Sequence, residues 1–196
     1  MGKGRLEAFS DGVIAVLITI MVLELKAPHG HDLEAIRPLL PVLLSYTLSF
    51  IFLGIYWNNH NHLLHAIKHV NGTILWANLH LLFWLSLIPF LTNWMSESHF
   101  EALPVALYGV DLLLSGIAFT ILVRVLIGHH GKDSTLAKAI GNDIKGKVSV
   151  VGYALAIPGA FVNVWIAGGL YVLIAIIWLI PDKRIERELA AKTDRE

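Results

Sequence analysis

The chain has 196 residues, of which 56% are hydrophobic and 15% are charged, and its mean hydropathy is +0.65. An ordinary soluble domain is about 25% charged, so this composition predicts a membrane protein made of one domain over residues 1–196. The formal net charge is zero and there is no cysteine. The zero net charge argues against a nucleic-acid partner. The lack of cysteine excludes disulfides, thiolate metal sites and cysteine nucleophiles.

Apolar segments follow one another along most of the chain. A membrane-spanning helix needs about 20 mostly apolar residues, and six segments reach or approach that length. The fifth and sixth run almost together, and Pro158, Gly159 and Asn163 predict the break between them. We therefore predict an all-α polytopic membrane protein with six transmembrane helices. The predicted spans are 6–25, 37–57, 73–95, 103–127, 147–163 and 164–181.

Basic residues are distributed unevenly between the two predicted sides of the membrane. One side holds the N-terminus, the 58–72 and 128–146 loops and the C-terminal tail, and it carries most of the lysine and arginine. The other side carries only Lys26 and Arg37. Because short basic loops stay in the cytoplasm, both termini are predicted to be cytoplasmic, which requires an even number of crossings.

The first predicted helix opens with charged and hydroxyl residues and continues as an aliphatic run. Such polar residues are costly near hydrocarbon unless they have partners or line water. At 100° per residue, one side of the helix is aliphatic with a single hydroxyl group, whereas Glu7, Asp11, Ile14 and Ile18 lie on the opposite side. An aliphatic stripe alone is commonly a packing surface, and Ser10 and Asp11 also suit a helix start. The stripe consists of Arg5, Phe9, Gly12, Val16, Thr19, Ile20 and Leu23.

Several short motifs in the first three predicted helices occur together. Arg5-x-x-x-Phe9-Ser10-Asp11 opens the first helix and Tyr56-Trp57-x-x-His60 ends the second. Leu75-Trp76-x-Asn78-Leu79 and Leu87-x-Pro89-Phe90 follow in the third. This combination resembles the signature of the endolysosomal potassium channel family (transmembrane protein 175 type) and its bacterial homologues. The resemblance covers the first three helices by motif and the remainder by helix count.

The resemblance implies a potassium-permeable cation channel, not an enzyme, in a bacterial inner membrane. Bacterial members look like homotetramers of six-helix subunits whose pore is lined by the first helix. Carried over by position, the hydrophobic constriction falls on Val16, Ile20 and Leu23, and Thr19 forms a selectivity layer with a modest preference for K⁺ over Na⁺. The family commonly has isoleucine where this chain has Val16, so that ring is expected to be wider. Lipid and monovalent cations are the implied partners, with no cofactor and no metal site beyond permeant K⁺.

A group of polar and aromatic residues is expected to hold the first helix in place. We expect Arg5, Ser10 and Asp11 to bond to polar groups on the second and third helices, with His60, Asn61, Asn78 and His80 as candidates. A satisfied buried network of this kind can fix the register of a helix. A direct role in ion binding is the alternative. The residues of this predicted polar clasp are Arg5, Phe9, Ser10, Asp11, His60 and Asn78.

Two other features leave alternatives open. The histidine-rich run from 57 to 69 has helical spacings that could hold a metal, although interfacial solvation is the simpler interpretation. Asp111 lies within the fourth helix, where an acid is either bonded inside the bundle or part of a proton relay. The rival functions are therefore a secondary transporter or proton pathway using Asp11, Asp111 and histidines, and a histidine-ligated membrane enzyme or haem protein.

Overall fold

The computed structural model describes residues 2–28, 30–67, 69–131, 137 and 143–179, and within these ranges it contains helices and no strand. A short 3₁₀ helix, Leu33–Leu39, precedes the second long helix. The α-helices are α1 (Lys3–Leu23), α2 (Leu40–His65), α3 (Gly72–Leu85), α4 (Ile88–Glu97), α5 (Ala102–His130), α6 (Ile144–Val162) and α7 (Val164–Leu179).

Helix α1 buries one side against the rest of the subunit. Its buried residues Leu6, Ser10, Ile14, Leu17 and Met21 recur every three or four positions, which is the spacing of one helical face. That face packs against α2, α3 and α4. The rotation of α1 about its own axis is therefore set by this packing.

The third predicted span consists of two helices joined by a tight turn. The side chain of Asn71 begins α3 by accepting a hydrogen bond from the N–H of Ile74 at 2.9 Å. Helix α3 ends at Leu85, and Ser86 and Leu87 form the turn before α4. Pro89 has no N–H to donate to the carbonyl four residues earlier, so the helix is interrupted here. The predicted span 73–95 thus lies within one apolar unit, Gly72–Glu97, that consists of a helix pair.

The last two described helices are separated at Asn163, as predicted. Asn163 has an extended backbone with φ −160° and ψ 120°, and its side chain accepts a hydrogen bond from the N–H of Trp165 at 2.9 Å. The other two predicted breakers do not act as such, because α6 continues through Pro158 and Gly159 to Val162. Packing of α6 against α5 and α7 stabilises this interrupted hydrogen-bond ladder.

Within the described residues, four helical units are long and apolar enough to cross a membrane: Lys3–Leu23, Leu33–His65, Gly72–Glu97 and Ala102–His130. Helix α7 is apolar but shorter, with 16 residues. The all-α, multi-span prediction is confirmed, while the count of six crossings stays a prediction. The predicted end of the sixth span at residue 181 lies outside the described ranges, as do residues 132–136 and 138–142 of the predicted 128–146 loop.

Candidate pore face and its polar support

The side of α1 that faces away from the subunit carries large aliphatic residues. Val16, Ile20 and Leu23 are 53%, 42% and 79% exposed, and Thr19 lies exposed among them. On the other side of the same helix, Ile14 is buried. The four predicted pore residues therefore share a surface that the isolated subunit leaves uncovered, and this surface is available to a neighbouring subunit, to lipid or to a pore.

Thr19 supplies the hydroxyl group of this surface. Its Oγ1 donates a hydrogen bond to the carbonyl of Val16 at 2.9 Å. Bonds of this kind are common for threonine in helices. Because the hydrogen is committed to the backbone, the oxygen presents lone pairs to its surroundings, which is the orientation that a cation requires.

A buried polar node formed by Ser10, His60 and Asn78 joins α1, α2 and α3. Ser10 Oγ donates to the carbonyl of Leu6 at 2.9 Å and accepts from Asn78 Nδ2 at 3.0 Å. The other amide atom, Asn78 Oδ1, lies 2.7 Å from His60 Nε2. A carbonyl oxygen can only accept, so His60 carries its hydrogen on Nε2 and donates it. Each of these atoms has a partner, and the node ties the three helices together.

Asp11 belongs to a separate contact closer to the subunit surface. Trp57 Nε1 donates a hydrogen bond to Asp11 Oδ1 at 3.0 Å. None of the four expected partners contacts this carboxylate, and His80 instead accepts a hydrogen bond from Trp84 at 3.0 Å. Trp57 was not among the expected partners, although it stands in the same motif as His60, one helical turn earlier.

Arg5 and Phe9 lie outside the polar node. Both are exposed, and within the described ranges the Arg5 side chain makes no hydrogen bond or ion pair to its own subunit. Their positions explain this, because they lie on the same stripe as Val16 and so point away from α2 and α3. The structure thus brings together Ser10, His60 and Asn78, sets Asp11 beside Trp57, and leaves Arg5 and Phe9 uncovered.

Charged and histidine side chains collect at the end of α1 that carries Glu7. Glu7 Oε1 lies 3.5 Å from Lys3 Nζ and 4.0 Å from His65 Nδ1. His65 Nδ1 also lies 2.9 Å from the carbonyl of Asn61. In the part of the chain that the structure describes, no three His, Asp or Glu side chains converge so as to hold a metal ion. This end of the subunit is therefore organised by local ion pairs and backbone contacts.

Comparisons with known proteins decide the family. The profile of the family described as "Endosomal/lysosomal potassium channel TMEM175" matches residues 5–89. A potassium channel of Chryseobacterium sp. is 57% identical over 189 residues, which are 96% of this chain and 98% of that protein. The chain belongs to the TMEM175 family. A potassium channel of Streptomyces collinus is 28% identical over 189 residues, covering 90% of this chain and 91% of that one.

The TMEM175 fold extends over nearly the whole chain. The crystal structure of a lysosomal potassium-selective channel TMEM175 homologue from Chamaesiphon minutus matches with a TM-score of 0.79 at 26% identity. The match covers 92% of this chain and 97% of that one. The family resemblance inferred from the motifs is confirmed, and the likeness reaches well beyond the motif-bearing residues. The TMEM175 family comprises ion channels rather than enzymes, and this chain is one of its multi-pass membrane proteins.

Proposed function

We propose that this TMEM175 protein is a potassium-permeable cation channel of the bacterial inner membrane, built as a homotetramer of six-crossing subunits with cytoplasmic termini. Ions move down their electrochemical gradient, and no catalytic step is involved. The observation that carries the proposal is the uncovered stripe of α1, with Val16, Ile20 and Leu23 on the outside of the subunit. The bacterial relatives named as potassium channels support the choice of ion.

In a homotetramer, the exposed stripe of α1 forms the wall of a central pore. With α1 of each subunit next to the central axis, each exposed residue becomes a ring of identical side chains. Rings of aliphatic residues restrict ion passage because a narrow apolar segment loses its water. Val16, Ile20 and Leu23 thus form successive constrictions, and the smaller side chain of Val16 makes its ring the wider one.

Thr19 provides the polar layer between these rings. Its hydroxyl oxygen can replace one water molecule of a partly dehydrated ion, because its hydrogen is already bonded to the Val16 carbonyl. Potassium gives up its hydration water at lower cost than sodium, so a site with few fixed ligands favours potassium. One hydroxyl per subunit yields a modest preference.

The polar clasp keeps α1 at the rotation that this arrangement needs. Ser10, His60 and Asn78 fix the helix against α2 and α3 within the subunit. Asp11 adds the contact to Trp57. Arg5 and Phe9 are uncovered in the isolated subunit, so we assign their contribution to the contact with a neighbouring subunit. The predicted clasp then has an intrasubunit part and an intersubunit part.

Flux through the purified protein in liposomes tests the proposed function. We expect potassium efflux that rises linearly with the gradient and needs no second ion. Ile20→Trp, which would fill the narrow part of the pore, should abolish this flux, whereas Val22→Trp on an exposed position beside the stripe should preserve it. Saturable flux that requires a coupled ion would instead identify a secondary transporter and overturn the channel proposal.

A further inference from the structure

Asp111 is a buried acid in the middle of α5 that the proposed pore does not use. It is 2% exposed, and neither carboxyl oxygen has a hydrogen-bond partner among the described residues. Ser115, one helical turn later, is fully buried and its hydroxyl oxygen also lacks a partner. Helix α5 packs on α3, α4, α6 and α7, so this pair lies in the subunit interior, away from the stripe of α1.

Hydroxyl groups near Asp111 form a chain in which every hydrogen bond points the same way. Thr92 Oγ1 donates to the carbonyl of Ile88 at 2.6 Å. Ser49 Oγ lies 2.6 Å from Thr92 Oγ1 and 2.9 Å from the phenol oxygen of Tyr108. Since the hydrogen of Thr92 is committed, Ser49 donates to Thr92 and Tyr108 donates to Ser49. The phenol of Tyr108 can therefore accept a hydrogen bond from Asp111 but cannot donate one to it.

The other titratable groups around this acid are also phenols. Tyr56 of α2 and Tyr108 of α5 interact electrostatically with Asp111, and Tyr153 of α6 and Tyr171 of α7 interact with those two phenols. Tyr171 donates its hydrogen to the carbonyl of Val105 at 2.9 Å. From α3 and α4, the titratable side chains are His80 and Glu97, which are exposed and do not face the site.

Burial without a charged partner determines which form of the acid this site can hold. An ionised carboxylate is an acceptor only and needs several donors, yet neither of its oxygens has one here. Burying an unpaired charge is far more costly than burying a neutral group. Among the described residues no lysine, arginine or histidine pairs with Asp111, and the neighbouring groups are the uncharged hydroxyls of Ser115, Tyr56 and Tyr108. The surroundings of Asp111 therefore match the neutral acid.

We propose that Asp111 is a proton-binding site in the core of each subunit, separate from the ion pathway. The bound proton keeps the buried carboxyl group neutral. Release of the proton places an unpaired negative charge between α5 and the helices that bring Tyr56 and Tyr171. Subunit packing is then coupled to pH through a residue that does not contact the permeant ion.

Infrared spectroscopy of the full-length protein in lipid vesicles at neutral pH tests the protonation state directly. We expect a carboxyl C=O band that shifts in heavy water, is lost in Asp111→Asn, and persists in the exposed control Glu34→Gln. If Asp111→Asn does not fold, labelling the aspartate side-chain carboxyls of the wild-type protein with heavy carbon identifies the same band. A wild-type spectrum without a protonated aspartate band would overturn the proposal.

Thermal unfolding is a second measurement, because a bound proton and a bound metal cation predict opposite changes of the melting temperature with pH. A group that holds its proton more tightly in the folded state stabilises that state in acid, and this stabilisation is lost as the pH rises. The wild-type melting temperature should therefore fall by several degrees from mildly acidic to mildly alkaline pH, and that of Asp111→Asn should change less. A melting temperature that rises with pH and with K⁺ or Na⁺ concentration would show a cation at Asp111 and contradict the proton site.

Discussion

The two faces of α1 have opposite chemistry. Toward α2 and α3, the helix presents Ser10, whose hydroxyl donates to the carbonyl of Leu6 and accepts from the Asn78 side chain. Toward the outside, it presents Val16, Ile20 and Leu23 with the single hydroxyl of Thr19. From Gly12 to Leu23 the outer face is therefore aliphatic except for Thr19, whereas Arg5 at its start is exposed. The inner face packs within the subunit, and in the proposed channel the outer face lines the ion pathway.

The largest expected effect follows from removing the polar node on the inner face. Asn78→Leu leaves the His60 Nε2–H without its acceptor and removes the donor to Ser10. Each buried unsatisfied group costs about 1–3 kcal/mol, so we expect most of the folded protein to be lost, as measured by size-exclusion chromatography and thermal unfolding. Asn58→Leu at an exposed position of α2 is the control. Equal stability of the two variants would show that the node does not hold α1.

A polar substitution on the outer face should change conduction rather than stability. In Ile20→Ser, a ring of hydroxyl groups replaces an aliphatic ring and retains water in the constriction. We expect single-channel conductance to rise by about tenfold, which corresponds to roughly 1.4 kcal/mol of barrier. Val22→Ser, also exposed but beside the stripe, should conduct like the wild type. An increase in both variants would mean that the stripe is not the barrier.

Ion preference should depend on the one hydroxyl of the outer face. Thr19→Val keeps the side-chain volume but removes the oxygen, and we expect the K⁺ over Na⁺ permeability ratio to fall by about threefold, the factor for roughly 0.6 kcal/mol. Reversal potentials under bi-ionic conditions measure this ratio. Thr120→Val on α5 is a matched control, since Thr120 Oγ1 likewise donates to a helix carbonyl, that of Gly116 at 2.9 Å. An unchanged ratio in Thr19→Val would leave this threonine with a structural role only.

The smallest effect is expected at the contact between Trp57 and Asp11, which lies between the two faces of α1. Trp57→Phe removes the indole donor to Asp11 but keeps the aromatic ring, and both residues are partly exposed. The free energy of unfolding should fall by about 0.5–1 kcal/mol. A double-mutant cycle with Asp11→Asn checks whether the two effects are coupled. Independent effects of the two substitutions would indicate that Asp11 acts elsewhere, for instance on the Arg5 of a neighbouring subunit.

The sequence predicted most of the helices but fewer of their contacts. Helical periodicity alone separates Val16 from Ile14, because it depends on local geometry and not on the partners of the helix. The partner of Asp11 depends on how α1 and α2 cross, which the sequence does not contain, so Trp57 was not among the expected partners. The break before Pro89 was missed because the apolar run continues through it.

The surroundings of Asp111 likewise could not be predicted from the sequence. Its place inside an apolar helix indicated only an acid of structural or proton-carrying character. The phenols of Tyr108 and Tyr171 donate to Ser49 and to the carbonyl of Val105, and these bonds join residues that are far apart in the sequence. Hydrogen-bond direction within a packed core is therefore accessible from the structure alone.

Cysteine accessibility along α1 tests the central claim that its exposed stripe lines the pore. The chain contains no cysteine, so single cysteines can be introduced at Val16, Ile20 and Leu23, and at Ile14 and Ile18 as controls on the opposite side. Channel current is then recorded while a water-soluble thiol reagent is applied. The account predicts rapid block at positions 16, 20 and 23 and little or none at 14 and 18. Equal block at all five positions, or block only at 14 and 18, would contradict it.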